Sequence, residues 1–149
     1  MNASVTARPL HLDRVDKVKQ VLGIEPAPGD EDLWILGDAL GFTVDGRPHV
    51  VPVGFTNDGS SIPALGQLLT FNQWLPPRRW ATLAHAWLYT QPVTKGYADL
   101  ALRALLASEG AGWWTREVLY FSARWLGNAT HAAESVAGPM IYERGDDHG

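Results

Sequence analysis

Hydrophobic positions along this chain fall into distinct rhythms, and each rhythm predicts a different part of the fold. Val15, Val18, Val21 and Leu22 recur at helical spacing with Asp16, Lys17 and Lys19 between them, which predicts a short amphipathic helix. Gly23, Pro26, Pro28 and Gly29 end it. Residues 1–30 are therefore expected to be an N-terminal extension and linker. Leu33-Trp34-Ile35-Leu36 is a short apolar run, Gly37 to Gly41 is turn-like, and Phe42-Thr43-Val44 runs into Asp45-Gly46. Asp-Gly between two apolar runs predicts a β-hairpin, because both central residues of a type I′ turn need positive φ. The return strand is His49-Val50-Val51-Pro52-Val53. Pro52 has no N–H for a ladder, so this strand is an edge or is bulged there. Residues 57–77 are a Gly-, Ser- and Pro-rich loop, long enough to suggest a working segment.

From residue 78 the rhythm becomes helical. Trp80, Leu83, Ala84, Trp87 and Leu88 form one stripe, with Pro77 suited to the first turn and Pro92 beyond the end. Tyr97, Ala101, Ala104, Leu105 and Ser108 form a second stripe, which stops at Gly110. A third runs from about Trp113 to Leu126, with Trp114, Val118, Phe121 and Trp125 on one face and Gly127 as the stop. Strands followed by helices predict an α+β fold: a small antiparallel β-sheet, its hairpin around 42–53, packed against a three-helix bundle over about 78–127. Residues 31–127 would make one domain, and 128–149 a polar C-terminal tail.

Composition narrows the functional classes. With 149 residues and 46% hydrophobic content the chain has enough apolar material for a core. A net charge of −4 argues against a nucleic-acid partner. No apolar run is long enough for membrane insertion, and the N-terminus lacks the features of a signal peptide. Cys is absent, which removes disulfides, thiolate metal sites and a Cys nucleophile. The five His are scattered without ligand spacing, so neither metal nor cofactor is expected. Seven Trp is high for this length. Trp80, Trp87, Trp114 and Trp125 lie on the helical stripes and are expected in the core. Trp34, Trp74 and Trp113 fall outside clear stripes and are the expected contact surface.

The candidate chemistry centres on His85. Tyr89 is four residues on and shares its helical face. Asp99 near the start of the next helix, and Asp58 in the Gly/Ser loop, are the carboxylates within reach of that face. A His held by a carboxylate serves as a general base, and the same pairing activates a serine such as Ser60 or Ser61. Structural roles are equally open: His85 as a hydrogen-bonded core residue, Asp58 as the start of an Asx-turn, Asp99 as a helix cap.

The stretch from Val51 to Asp99 resembles a family of uncharacterised proteins from tailed bacteriophages and prophages. The family signature reads approximately V-P-x-G-F-x-T-D-G-A-S-I-P, then H-D-x-L-Y, then A-D. The matching residues are Val51-Pro52-Val53-Gly54-Phe55-Thr56-Asn57-Asp58-Gly59-Ser60-Ser61-Ile62-Pro63, then His85-Ala86-Trp87-Leu88-Tyr89, then Ala98-Asp99. The His-Asp and Tyr of one helix with an Asp of a second also resemble the secreted phospholipase arrangement, in which the carboxylate beside the His holds calcium. Ala86 stands in that place and cannot ligate a metal. Asn57 replaces the usual Thr, and Lys95-Gly96-Tyr97 stands where an Arg is common.

The resemblance implies a phage- or prophage-encoded structural or virion-accessory protein of tail, neck or capsid, and the loss of the His-Asp pair implies that its enzyme-like scaffold would be degenerate. Its partners would be other virion proteins or further copies of itself, and its place the virion or host cytoplasm. The competing expectation is a small hydrolase of the host envelope, acting on peptidoglycan or lipid. His85 would be its base, with Asp58, Asp99, Tyr89 and Ser61 around it. The first carries more weight, because Ala86 weakens the chemistry.

Overall fold

A computed structural model of the chain describes residues 1–10, 12–16, 32–57, 78–139 and 141. It is an α+β protein. Among the described residues, two three-stranded antiparallel sheets precede four helices. The strands are β1 (Ala3–Ala7), β2 (Leu12–Asp16), β3 (Asp32–Leu36), β4 (Leu40–Val44), β5 (Arg47–Val51) and β6 (Thr56–Asn57). The helices are α1 (Arg79–Tyr89), α2 (Lys95–Ser108), α3 (Trp113–Leu126) and α4 (Asn128–Ala137).

The first sheet has the order β1-β4-β5 and the second β2-β3-β6. The β4–β5 hairpin pairs Val44 with Arg47 around Asp45-Gly46, whose φ values of 50° and 79° are those of a type I′ turn. Leu40, Phe42 and Val44 of β4, with Val51 of β5, are buried. Pro48, at the free edge of β5, needs no ladder partner for its missing N–H. The two sheets are tied where Leu36 N donates to Phe55 O (3.1 Å) and Gly54 N donates to Leu36 O (2.8 Å). Gly54 takes φ 89°, a left-handed conformation that turns Phe55 inward onto the Trp87 ring at 5.5 Å.

The helices cover the first sheet. Leu83, Leu88, Leu102, Leu105, Leu106 and Leu119 are fully buried. Thr94 caps α2 by accepting from Tyr97 N. His49 of β5 stacks on Phe42 and hydrogen-bonds the Tyr97 hydroxyl at 3.0 Å, joining sheet to α2.

Four expectations change. Residues 3–7 are not a loose extension: β1 pairs with β4 from Ala3↔Val44 to Ala7↔Gly41, and Arg8 is ion-paired with Glu109 after α2. Residues Leu12–Asp16 form strand β2, so Val15, expected in a helix, stands in a strand, while Val18, Val21 and Leu22 lie outside the described residues. That strand has a partner about twenty residues away in sequence, and local periodicity is blind to such pairing. The polar tail begins with a fourth helix, α4.

The fourth change concerns α3. Its buried positions are Glu117, Leu119, Ser122 and Ala123. The stripe expected in the core faces out: Trp114 is 56% exposed, Phe121 50% and Trp125 66%.

Candidate functional site

α1 and α2 bring together three of the residues singled out in the sequence. His85 and Tyr89 share one face of α1, one turn apart. Asp99 lies in the second turn of α2, so it is not the helix cap, a role Thr94 fills. His85 Nε2 donates to Asp99 Oδ1 at 2.8 Å, and the Tyr89 hydroxyl donates to the same oxygen at 2.7 Å. All three residues are fully buried. Because a carboxylate only accepts, the contact fixes the proton of a neutral His85 on Nε2 and leaves the lone pair on Nδ1. Nδ1 is buried and has no hydrogen-bond partner among the described residues.

Lys95 completes the centre. Its ammonium donates to Asp99 Oδ2 at 2.6 Å and to the backbone oxygens of Ala123 (2.7 Å) and Arg124 (3.1 Å). All three ammonium protons are thereby used. Ala123 and Arg124 lie in the last turn of α3, where the helix dipole favours a cation, and Ala123 O also accepts from Gly127 N at 3.0 Å. A single side chain of α2 therefore neutralises the buried carboxylate and caps α3.

Tyr89 connects the centre to α4. Its ring is 4.2 Å from the His85 ring and meets the His131 ring edge-on at 4.9 Å. Ser135 Oγ donates to Tyr89 O at 3.1 Å. Gly127, between α3 and α4, must be small: a Cβ there would stand 2.5 Å from Ala123 O and 3.2 Å from the Tyr89 hydroxyl.

The electrostatics follow from burial and these bonds. Burial pulls the His85 pKa below its usual 6.5, with the Asp99 bond and charge opposing, so the imidazole is neutral. Burial would raise the Asp99 pKa, but the His85, Lys95 and Tyr89 bonds outweigh it and hold the carboxyl at about 2. His131 is lowered by burial and then by the Lys95 charge.

Such a centre can hold an oriented imidazole with a free lone pair. Ala86, buried in the core beside His85, offers no ligand, and no group of three metal-ligating side chains occurs among the described residues. Asp58, Ser60, Ser61 and Trp74 lie outside the described residues. Of the expected contact surface, Trp113 is 66% exposed, whereas Trp34 on β3 is half-buried against the core. Sequence reasoning missed the roles of Lys95, Gly127 and His131. Lys95 was within reach, since Lys and Asp four apart share a helical face.

The family model described as Protein of unknown function (DUF1353) matches residues 34–123. The chain belongs to this family. The DUF1353 match spans β3 to the end of the inner face of α3, and so contains His85, Tyr89, Lys95 and Asp99. The segments β1, β2 and α4 fall outside the DUF1353 match. No curated protein and no solved structure matches the chain.

Proposed function

We propose that this DUF1353 protein works by docking, as a tailed-phage or prophage structural or accessory component of tail, neck or capsid, on a scaffold of enzyme-like form. The observation that carries the docking half is the outer face of α3. Trp113, Trp114, Phe121 and Trp125 are each half or more exposed. Aromatic side chains of roughly 200 Å² apiece leave on the order of 500 Å² of apolar surface in water there. Patches of that size on soluble chains mark contact sites. The His85 centre supports the same reading from the other side. It is sealed, its carboxylate is saturated by three donors, and Ala86 supplies no ligand. The phage half rests on the signature resemblance.

The test is particle purification. A tagged copy expressed with its phage should co-purify with particles in fixed copy number, and Trp114→Ser/Trp125→Ser should lower that occupancy without unfolding the chain. A protein found only as a free monomer and absent from particles would end this reading.

One observation favours a second reading, a hydrolase of the host envelope acting on peptidoglycan or lipid. The unpartnered Nδ1 of His85 is the atom a general base would use, with Asp99 on Nε2 orienting the ring. Here His85→Gln should abolish turnover of cell-wall or phospholipid substrates while the fold survives. Wild-type protein with no turnover of either substrate above that variant's background refutes it.

A further inference from the structure

We propose that the outer face of α3 docks on an anionic lipid bilayer, lying flat at the headgroup level without spanning it. This rests on the docking reading above and names the partner of that face. Three observations carry it. First, the exposed stripe is aromatic: Trp114, Val118, Phe121 and Trp125 fall on one line along the helix, directly opposite buried Leu119 and Ala123. Trp and Phe on one face of a helix with Arg beside them is the composition of an interfacial helix. Indole suits the headgroup region because it pairs a large apolar ring with one N–H.

Second, the charge around this stripe runs against that of the molecule. Arg103 and Arg124 rim one flank. Arg103 lies over the Tyr120 ring and bonds Glu117, and Arg124 lies over the Trp125 ring. Arg78 reaches Thr115 on the other flank at 3.4 Å. Among the described residues, the three guanidinium groups of Arg78, Arg103 and Arg124 therefore flank the stripe with one carboxylate, that of Glu117, in a chain of net charge −4. That local excess suits phosphate-bearing headgroups. Third, the area is too small for a stable pairing of two copies. The face offers on the order of 500 Å², whereas a stable protein interface takes about 800 Å² from each partner. A groove of about 460 Å³ between Arg103, Trp113, Trp114, Glu117, Val118 and Phe121 opens at one end of the stripe, with room for an inserted headgroup or acyl segment.

The experiment is vesicle flotation with the full chain. One set of vesicles is phosphatidylcholine alone, and the other carries phosphatidylglycerol as well. The expected result is binding to the anionic vesicles with a blue shift of Trp emission. Trp114→Ser/Trp125→Ser should weaken it by roughly tenfold or more. Arg103→Gln/Arg124→Gln should weaken it less, and about 1 M salt should do the same by shrinking the Debye length to about 3 Å. No binding, or equal binding by the tryptophan variant, overturns the proposal. So does a wild-type dimer in solution that this variant converts to monomer, which would give the face to a second copy. Failure here with the tryptophan variant still excluded from particles would leave docking intact and make the partner a protein. Lipid binding by a chain never found in particles would instead remove the particle reading and keep this one.

Discussion

Replacing Asp99 with Asn keeps the shape of the side chain and removes the charge that holds the polar centre together. The amide cannot accept from His85 Nε2, the Tyr89 hydroxyl and Lys95 Nζ at once, since its nitrogen is a donor. Lys95, 12% exposed, keeps two carbonyl oxygens and loses its counter-ion. Two magnitudes bracket the cost. Holding the carboxyl at about 2 against its usual 3.8 corresponds to about 2 kcal/mol at neutral pH. Breaking a buried ion pair by removing one partner costs about 3–5 kcal/mol. The expected loss is therefore about 2–5 kcal/mol, or a fall of roughly 5–15 °C in Tm for a chain of this size. Urea unfolding followed by far-ultraviolet circular dichroism and Trp emission measures it.

Two controls separate this reasoning from a general loss of packing. Lys95→Met added to Asp99→Asn should recover part of the loss, because no unpaired charge then remains. The cycle should show a coupling above about 0.5 kcal/mol. Acid should erase the difference. The folded carboxyl has the lower pKa, so its contribution is present above about pH 4 and is lost as pH falls toward 2. The wild-type and Asp99→Asn stability curves should converge near the bottom of that range. An Asp99→Asn chain within 1 kcal/mol of wild type at pH 7, or curves that stay parallel into acid, refutes the reasoning.

Other perturbations test neighbouring parts. His85 is neutral in the fold, so below about pH 6.5 the unfolded chain takes up a proton first and stability falls with pH. His85→Gln should flatten urea midpoints between pH 6.5 and 5, leaving a smaller slope from His49 and His131, which share the sign; an unchanged slope would contradict this. Ala86→Asp puts a carboxylate at a fully buried position and should cost about 3 kcal/mol or more. A stable Ala86→Asp chain that calcium stabilises further would reveal a cation site beside His85. Gly127→Ala should cost about 1–3 kcal/mol in thermal melts, because its Cβ meets Ala123 O and the Tyr89 hydroxyl; a neutral effect would mean that α4 shifts freely.

How far the sequence could be read depended on the range of the contact involved. Asp45-Gly46 announced its hairpin because a type I′ turn is a property of two residues. The first three helices were legible because their stripes are local. His85, Tyr89 and Asp99 could be grouped because one pair shares a helical face and the other residue lies in the second turn of the neighbouring helix. What failed was non-local. β1 is defined by pairing with β4 some forty residues on, and no local rhythm encodes that register. Val15 was expected in a helix from local spacing and instead pairs with Leu33 in the β2–β3 ladder. On α3 the period was right and the direction wrong. Periodicity finds a stripe but gives no sign to it when both sides of a helix are apolar.

The direction of α3 has a cause in the polar centre. Lys95 must reach the carbonyl oxygens of Ala123 and Arg124, which brings α2 against the last turns of α3. Backbone approach of that kind needs small side chains at the contact, and Ser122 and Ala123 supply them. A tryptophan on that side would hold the helices apart and leave Lys95 and Asp99 without their bonds. The large rings are therefore displaced to the opposite face. Displacement explains where they went, but it does not explain why they are there. Polar residues would serve an outward stripe equally well for folding, and exposed indole is a liability for solubility. The buried centre thus fixes which face of α3 is outermost, and the choice of aromatic residues there is what the docking proposal accounts for.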